Sequence, residues 1–423
     1  MQCMLNVKRE YTAEVAVIGG GTAGVFAAIA AANTGADTLL VEKDGRLGGT
    51  ITTAGVDFPG LFHAWGKKII DGPCWTSLEK ASALGGAQIP EITYKPKDHW
   101  REQVRISIPV YTAVLHEMCK EAGVRVLTNA MLADAKETEQ AAELFIAEKT
   151  GISKITAKVV IDATGDANLV QQMGYAVQKS QKQQPATLHN HLTGYDMKNV
   201  DMAELEEKFQ KASFRQDITL QDMLRYLYGE KINNHIPSID ADTSEGRTVL
   251  EETALAYMME LYTFWRTVKG LQNLTIDVLS EETGVRETNR IVGEKTVTAE
   301  DYVSGKFYPD SVCYAFYPVD LHVAVGIEQT FLEDGVVPKI PYGALVPKGA
   351  KRLLCAGRCV SSDTYANSAL RVQAPCMAMG QAAGCAAALA AKYNTGVQAV
   401  SYEALCSSLK AIGAIVPQEK EEM

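Results

Sequence analysis

The sequence lacks the cysteine spacing of a metal site or a redox pair. Its nine cysteines are an odd number, and no C-x-x-C pair occurs. Cys355 and Cys359 are four positions apart, but no histidine or second close pair completes a zinc pattern. The same spacing argues against an iron–sulfur cluster. We therefore expect reduced, mostly buried thiols and no metal.

An excess of positive charge is also missing. The chain has 41 lysines and arginines against 51 aspartates and glutamates, which gives a formal charge of −10. Proteins that bind nucleic acids need a basic surface, so this balance argues against nucleic acid as a partner. Hydrophobic residues make up 47% and charged residues 22%, which is ordinary for a globular chain with a large core.

Long runs of Leu, Ile and Val are absent too. The first apolar run, residues 15–18, is followed at once by three glycines, which leaves no apolar region of a signal peptide. The uncharged stretch 374–391 consists largely of Ala and Gly and contains Gln381. It is therefore predicted to be a buried helix and not a membrane span. These observations predict a cytoplasmic protein with no membrane partner.

The strongest positive signal lies in the first forty residues. Residues 13–18 predict a strand, an Ala-rich helix follows as far as Asn33, and a second strand at 37–41 leads to Glu42. The turn between the first strand and the helix has the pattern G-x-G-x-x-G, formed by Gly19, Gly20, Gly21, Thr22, Ala23 and Gly24.

Each part of this motif has a physical role in binding a dinucleotide. Gly19 permits a tight turn, Gly21 lets the backbone approach a pyrophosphate, and Gly24 allows the helix to pack closely on the strand. The helix N-terminus offers free N–H groups and a positive dipole end to the phosphates. Glu42 can accept hydrogen bonds from ribose hydroxyls.

A second loop indicates which dinucleotide binds. Within eight positions after Glu42 come two basic residues, two glycines and a threonine: Lys43, Arg46, Gly48, Gly49 and Thr50. An NAD domain has no need of this loop, whereas the longer FAD molecule needs more backbone contact. The sequence therefore predicts non-covalently bound FAD.

At these residues the chain resembles the FAD-dependent oxidoreductases of the glutathione-reductase superfamily, in the branch that includes fumarate reductase-like and sarcosine oxidase-like enzymes. The strand 158–162 ends in a turn that lies near the FAD in that superfamily, formed here by Ala163, Thr164, Gly165 and Asp166. Residues 352–372 look like the superfamily's late FAD segment, in which a helix N-terminus points at the flavin. This segment contributes Gly357, Arg358, Arg371 and Val372.

The resemblance narrows to a largely uncharacterised group described as FAD-dependent oxidoreductases. The motifs that carry it are YPVDLH (317–322), IPYGALVPKG (340–349), LLCAGRCVSSD (353–363) and ALRVQAPCMAMGQAAG (369–384). It implies an α/β fold with a Rossmann-type FAD-binding domain, built on a central parallel sheet and a β-meander. That domain is expected to span residues 1–172 and 338–423, with an inserted α+β substrate or cap domain at 173–337.

Candidates for the chemistry lie in or near the expected substrate domain. Arg286 and Arg290, four positions apart, could clamp a carboxylate, or they could form a structural salt bridge with Glu287 or Glu294. His322 is the best single acid–base candidate, with a purely structural histidine as the alternative. Tyr342 and Arg371 are candidates of second rank.

The function expected from these residues is hydride transfer between bound flavin and a small polar organic substrate. Electrons would then pass to or from a partner that the sequence does not identify, because no second nucleotide-binding motif is visible. A fumarate reductase-like enoate reductase and a non-catalytic flavin-binding module are the alternatives. The sequence is compatible with an oligomer.

Overall fold

The structure, a computed structural model, describes residues 6–91, 101–232, 235–236, 239–323 and 326–419. The strands of these residues are β1 (Val7–Ile18), β2 (Thr38–Val41), β3 (His63–Ala64), β4 (Lys67–Lys68), β5 (Ala87–Gln88), β6 (Arg105–Ile106), β7 (Arg125–Leu127), β8 (Met131–Glu137), β9 (Ala142–Glu148), β10 (Gly151–Asp162), β11 (Val177–Lys179), β12 (Asn190–Thr193), β13 (Thr275–Leu279), β14 (Asn289–Ile291), β15 (Ser311–Tyr314), β16 (Val319–His322), β17 (Ile327–Thr330), β18 (Lys339–Pro341) and β19 (Leu353–Cys355).

Helices connect and cover these strands. They are α1 (Thr22–Asn33), α2 (Pro73–Ala83), α3 (Ile108–Glu121), α4 (Asn168–Gln172), α5 (Met202–Lys211), α6 (Leu220–Tyr228), α7 (Ser244–Trp265), α8 (Ala299–Val303), α9 (Thr364–Leu370), α10 (Gln373–Tyr393) and α11 (Tyr402–Ala411).

A seven-stranded sheet forms the centre of the molecule. Its strand order is β7-β2-β1-β10-β9-β8, with β19 paired to the end of β10. The pairs among β7, β2, β1, β10 and β19 are parallel, whereas β8, β9 and β10 form an antiparallel meander. This confirms the predicted α/β fold with a central, mostly parallel sheet and a meander.

Strand β10 begins at Gly151, well before the strand 158–162 that the sequence predicts. The chain stays extended through Lys158, because the Lys158 side chain points to solvent and its ammonium pairs with the Glu14 carboxylate of β1 at 2.8 Å. The result is one strand of 12 residues. Its first half bonds to β9 and its second half to β19, while β1 runs along its whole length.

Helix α10 packs directly on α1. A Cβ atom at Gly380 would lie 2.2 Å from the Ala23 carbonyl oxygen, and one at Gly384 would lie 2.2 Å from that of Ala27. Among the described residues, α10 is the one helix long and apolar enough to cross a membrane, and its most apolar window is fully buried. The small residues predicted at 374–391 therefore serve close packing inside the core.

Three clusters of buried apolar side chains hold the molecule together. Two of them cover the faces of the central sheet, and the third is built from residues 186–274, with α7 at its centre. Residues 297–337 contribute to the first of the sheet clusters. The predicted domain limits stay a prediction, and the third cluster lies inside the predicted substrate domain.

Candidate functional site

The turn between β1 and α1 is as tight as its glycines predict. Gly19 has φ +99°, and a Cβ atom there would lie 2.4 Å from the Ala163 carbonyl oxygen. A Cβ at Gly24 would lie 1.8 Å from the Gly19 carbonyl oxygen. At Gly21 the situation is different, because the nearest atom to a Cβ is the Gly49 Cα at 3.9 Å. The protein itself needs no glycine at Gly21, which leaves open space above the start of α1.

The second glycine loop lies beside the first. The Gly48 N–H donates to the Gly20 carbonyl at 2.8 Å, and the Thr22 hydroxyl donates to the Gly48 carbonyl at 3.3 Å. Gly49 has φ +52°, and a Cβ there would lie 2.8 Å from the Gly21 Cα. Thr50 continues this loop, its carbonyl accepting from the N–H of residue 56 at 3.1 Å. Two segments that are distant in sequence thus form one cradle, whose backbone is half-buried at Gly21 and Gly49.

Glu42 anchors this cradle from below. It is 5% exposed, and its carboxylate accepts hydrogen bonds from the N–H groups of Gly20 (2.6 Å) and Asp44 (2.8 Å). Burial raises the pKa of Glu42 to about 7, although the two N–H groups favour the charged form. By accepting the Gly20 N–H, the buried Glu42 carboxylate fixes the position of the first loop.

The two predicted basic residues point to acidic partners. The Lys43 ammonium lies 2.8 Å from the Asp44 carboxylate and 3.4 Å from that of Glu282. The Arg46 guanidinium lies 2.9 Å from the Glu281 carboxylate, and both basic side chains are about half exposed. Backbone N–H groups, rather than these side chains, therefore line the open space at the cradle.

A further part of the site is the turn after β10. The buried Asp162 carboxylate accepts from the N–H and hydroxyl of Thr164, at 3.0 and 2.7 Å. Gly165 has φ +82° and its carbonyl accepts from Arg358 at 2.8 Å. The Arg358 guanidinium also pairs with the Asp166 carboxylate and donates to the carbonyl of residue 285 at 3.1 Å. Arg358 therefore ties this turn to the middle of the chain.

The start of α10 closes the cradle on the other side. Gly357 has φ +107°, and a Cβ there would lie 3.2 Å from the Ala23 side chain. Val372 caps α10 in an extended conformation, with no side-chain hydrogen bond to the helix N-terminus. Its side chain packs against Gly60, where a Cβ would approach it to 2.5 Å. The first turn of α10 is largely satisfied within the protein, because the Ala374 N–H donates to the Pro59 carbonyl at 2.8 Å and Pro375 has no N–H.

Several buried polar atoms in this region have no hydrogen-bond partner among the described residues. They are Thr53 Oγ1, Gln184 Nε2, Asn367 Oδ1, Arg371 Nε and Gln373 Oε1. Buried polar atoms are nearly always bonded, because an unsatisfied one costs about 1–3 kcal/mol. These atoms supply both donors and acceptors, as the polar edge of a flavin ring requires. The residues present therefore fit FAD.

Contacts join these polar residues to one another. Arg371 donates to the Gln184 side-chain carbonyl at 3.2 Å, and its N–H bonds to the Asn367 carbonyl at 2.9 Å. Gln373 donates to the carbonyl of residue 56 in the loop that follows Thr53, at 3.1 Å. Sequence reasoning found only Arg371 among them. The available sequence signal for the others was a polar residue next to the second glycine loop, as at Thr53, or at the start of α10, as at Gln373.

His322 lies within a row of hydrogen-bonded groups, between Asp320 and His235. Its Nε2 is 3.0 Å from the Asp320 carboxylate, and its Nδ1 is 2.9 Å from His235 Nε2. His235 Nδ1 in turn lies 3.0 Å from the Val323 carbonyl oxygen. Gln329 donates to the second Asp320 oxygen at 2.7 Å. His235 was not predicted from the sequence, because it lies 87 positions before His322.

The pKa values in this row are strongly shifted. Burial lowers the pKa of His322 to about 4, with Arg286 and Arg371 acting in the same direction and Asp320 against it. Burial also lowers the pKa of His235. For Asp320, burial acts to raise the pKa, but the His322 hydrogen bond and the Arg371 charge bring it down to about 2. At neutral pH both histidines are therefore uncharged beside an ionised carboxylate.

The arginines predicted for the chemistry have separate partners. Arg286 donates to the Pro185 carbonyl and, at 3.0 Å, to the Thr187 hydroxyl. Arg290 is buried, pairs with the Glu287 carboxylate at 3.2 Å and donates to the Ser362 carbonyl at 3.0 Å. The structural salt bridge considered for Glu287 is thus formed by Arg290. Burial lowers the pKa of Arg286, and the charge of Arg371 acts in the same direction.

Tyr342 is engaged in the core. Its buried hydroxyl donates to the Val397 carbonyl at 2.8 Å, and burial raises its pKa well above the usual range. The thiols of Cys355 and Cys359 are also buried, with their sulfur atoms 3.1 Å apart. These groups belong to the two core clusters that cover the central sheet.

Comparison with known proteins identifies the relatives of this chain. The family described as "FAD dependent oxidoreductase" matches residues 14–409. A thiamine thiazole synthase of Methanococcus vannielii is 26% identical over 167 residues, which cover 37% of this chain and 58% of that protein. The corresponding protein of Methanococcus maripaludis is 27% identical over the same shares. The chain thus spans a little over half the length of these curated relatives.

Solved structures with similar backbones include a geranylgeranyl bacteriochlorophyll reductase-like protein from Thermoplasma acidophilum. It is 14% identical with a TM-score of 0.47, and the alignment covers 95% of this chain and 83% of that one. CabE, an aromatic hydroxylase from angucycline biosynthesis, is 9% identical with a TM-score of 0.47 over 94% of this chain and 65% of its own.

Proposed function

The chain belongs to the family of FAD-dependent oxidoreductases, and from that premise we propose that it transfers hydride between bound FAD and a small polar organic substrate. FAD supplies the hydride acceptor or donor when it is bound. Membership of this family makes the protein an enzyme with FAD as its cofactor. The alternative of a non-catalytic flavin module is therefore set aside.

The residues that would hold FAD come from the two glycine loops and the segments around them. Backbone N–H groups at Gly21 and the start of α1 would hold the pyrophosphate, and Glu42 the ribose. The loop of Gly48, Gly49 and Thr50 would lie along the ribityl chain. The partnerless atoms of Thr53, Asn367 and Gln373 would bond the ring.

The observation that carries the proposal is the row from Val323 through His235 and His322 to Asp320. It contains three contacts of 2.9–3.0 Å, and each needs one proton. The outer atoms, a carbonyl oxygen and a carboxylate oxygen, can only accept. Two neutral histidines bring one ring proton each, so two protons serve three contacts. The row has a place for one more proton.

This place gives the row its chemical role. Because the pKa of His322 is lowered to about 4, the place is vacant at neutral pH. A substrate that loses hydride from carbon also loses a proton from its hydroxyl or amine. When the two ring protons occupy the contacts to Val323 and between the histidines, His322 Nε2 beside Asp320 is the atom that takes up that proton. In the opposite direction the row returns the proton. Asp320 and His235 hold the imidazole in position and share the charge.

The experiment is an anaerobic screen of the purified, FAD-loaded protein with sugars, hydroxy acids, amines and enoates. At least one class should bleach the absorption band of oxidised flavin. In His235→Gln, the rate of bleaching should fall at least about tenfold at unchanged FAD content, because one contact of the row is lost. A matched control is His191→Gln, since His191 is exposed and pairs with Asp277 on the cap.

Two results would contradict the proposal. If dithionite reduces the flavin but no substrate class does, hydride transfer to a small polar substrate is wrong. If His235→Gln and His191→Gln both bleach at the wild-type rate, the row has no part in the reaction.

A further inference from the structure

Two cationic side chains, Arg286 and Arg371, act on the row of His235, His322 and Asp320. Asp320 is the anionic member of that row. We propose that Arg286 and Arg371 bind a carboxylate group of the substrate between them. This inference rests on the proposed function and names the class of substrate for the same site.

Arg286 has no acidic partner. It forms no ion pair with any residue in the part of the chain that the structure describes, and its bonds go to the Pro185 carbonyl and the Thr187 hydroxyl. Both bonds use the same terminal nitrogen, Nη1. Burial, with Arg371 nearby, lowers the pKa of Arg286 to about 9, as expected for a cation without compensation.

Arg371 is only weakly compensated. Its Nη2 lies 3.9 Å from the Asp320 carboxylate, and it donates instead to the Asp320 carbonyl (3.3 Å) and to Gln184 (3.2 Å). The Asp320 carboxylate is already engaged, with one oxygen accepting from Gln329 and the other facing His322. Arg371 Nε is buried without a partner.

The other charged groups around the pair leave the excess in place. Glu287 is committed to Arg290 at 3.2 Å and to the Gln184 N–H at 2.9 Å. Lys231 adds positive charge near His189, and burial together with Lys231 and Arg286 lowers the pKa of His189 to about 4. Arg225 is a further cation that acts on His235. One positive charge therefore remains unpaired in a buried setting, which is costly.

A carboxylate meets the chemistry of this setting best. It is a single negative charge, equal to the excess, and it takes two parallel hydrogen bonds from a guanidinium. Gln184, which is 5% exposed, has its side-chain NH₂ partnerless beside Arg371 and offers one more donor. The FAD pyrophosphate would bind at the backbone cradle around Gly21, and the oxidised flavin ring is neutral. Neither would therefore supply the negative charge that pairs with these arginines.

The test titrates the oxidised, FAD-loaded protein with acetate, glycolate and succinate and, in parallel, with their amides. Binding is followed by the change in the flavin absorption spectrum and by the shift in thermal unfolding. At least one carboxylate should bind ten times more tightly than its amide. In Arg286→Gln this preference should fall to less than threefold, whereas Arg286→Lys should keep part of it.

A matched control is Arg215→Gln, because Arg215 is half exposed on the cap and pairs with Glu260 at 3.4 Å. This variant should keep the full preference for the carboxylate. The comparison of carboxylate with amide on the wild-type protein needs no variant, so it decides the matter even if Arg286→Gln does not fold.

Equal binding of carboxylates and amides by the wild-type protein would overturn the inference. So would an Arg286→Gln variant that binds carboxylates normally but has a more negative flavin reduction potential, since the arginine would then serve the reduced flavin. Carboxylate binding without bleaching by any substrate keeps this inference and removes the proposed function. Bleaching by neutral substrates alone would keep the proposed function and remove this inference.

Discussion

Glu42 gives the sharpest prediction about stability, because its charge is buried. In the unfolded chain its pKa has the ordinary value of 4.5, and in the folded protein burial raises the pKa to about 7. Between these values the folded state holds one proton more than the unfolded state. The free energy of unfolding of the FAD-free protein should therefore decrease as the pH rises from about 4.5 to about 7.

The size of the effect follows from the two pKa values. The difference corresponds to about 3 kcal/mol, at about 1.4 kcal/mol per pKa unit. Glu42→Gln removes the titration but keeps the shape and one acceptor for the N–H groups of Gly20 and Asp44. Protonated glutamic acid and glutamine should be nearly equivalent, so the variant and the wild type should have similar stability at pH 5. At pH 8 the variant should have gained up to about 3 kcal/mol relative to the wild type.

The assay is urea unfolding of both FAD-free proteins at several pH values from 5 to 8, compared at matched slopes. Other titrating groups act equally on both proteins and cancel in the difference. A stability difference that does not change with pH would refute the reasoning, and so would one that moves in favour of the wild type as the pH rises.

Two further predictions concern the cradle and the turn after β10. Gly21→Ala should leave the thermal unfolding of the FAD-free protein nearly unchanged but weaken FAD binding at least about tenfold. Gly24→Ala should instead impair folding itself, because its Cβ would lie 1.8 Å from a carbonyl oxygen. Equal effects of the two changes would contradict this. Arg358→Met should lower the free energy of unfolding by about 2–3 kcal/mol in urea, since it leaves the Asp166 carboxylate unpaired, and an unchanged midpoint would show that Arg358 does not hold the turn.

The cradle could be predicted from the sequence because local geometry dictates it. Gly19 has φ +99°, and a Cβ at Gly24 would lie 1.8 Å from a carbonyl oxygen, so both positions admit only glycine. Such requirements leave their mark at fixed spacing along the chain. The Ala- and Gly-rich composition of 374–391 predicted a buried helix in the same way, but it did not predict that α1 is the packing partner.

The grouping of the charged residues could not be predicted, because long-range packing decides it. The spacing of Arg286 and Arg290 predicted that they act together. Arg290 instead bonds to Glu287 and Ser362. The arginine near Arg286 is Arg371, which follows the end of α9. His235 reaches His322 from 87 positions away. Side chains brought together from distant parts of the chain leave no periodic signal in the sequence.

The central claim is that the row of His235, His322 and Asp320 moves the proton that accompanies hydride transfer. The most direct test compares the rate of anaerobic flavin bleaching by the best substrate in the wild type and in His322→Gln, at equal FAD content. The account predicts a fall of about a hundredfold or more, reduced at high pH where the substrate loses its proton unaided. Equal rates in the two proteins at neutral pH would contradict it.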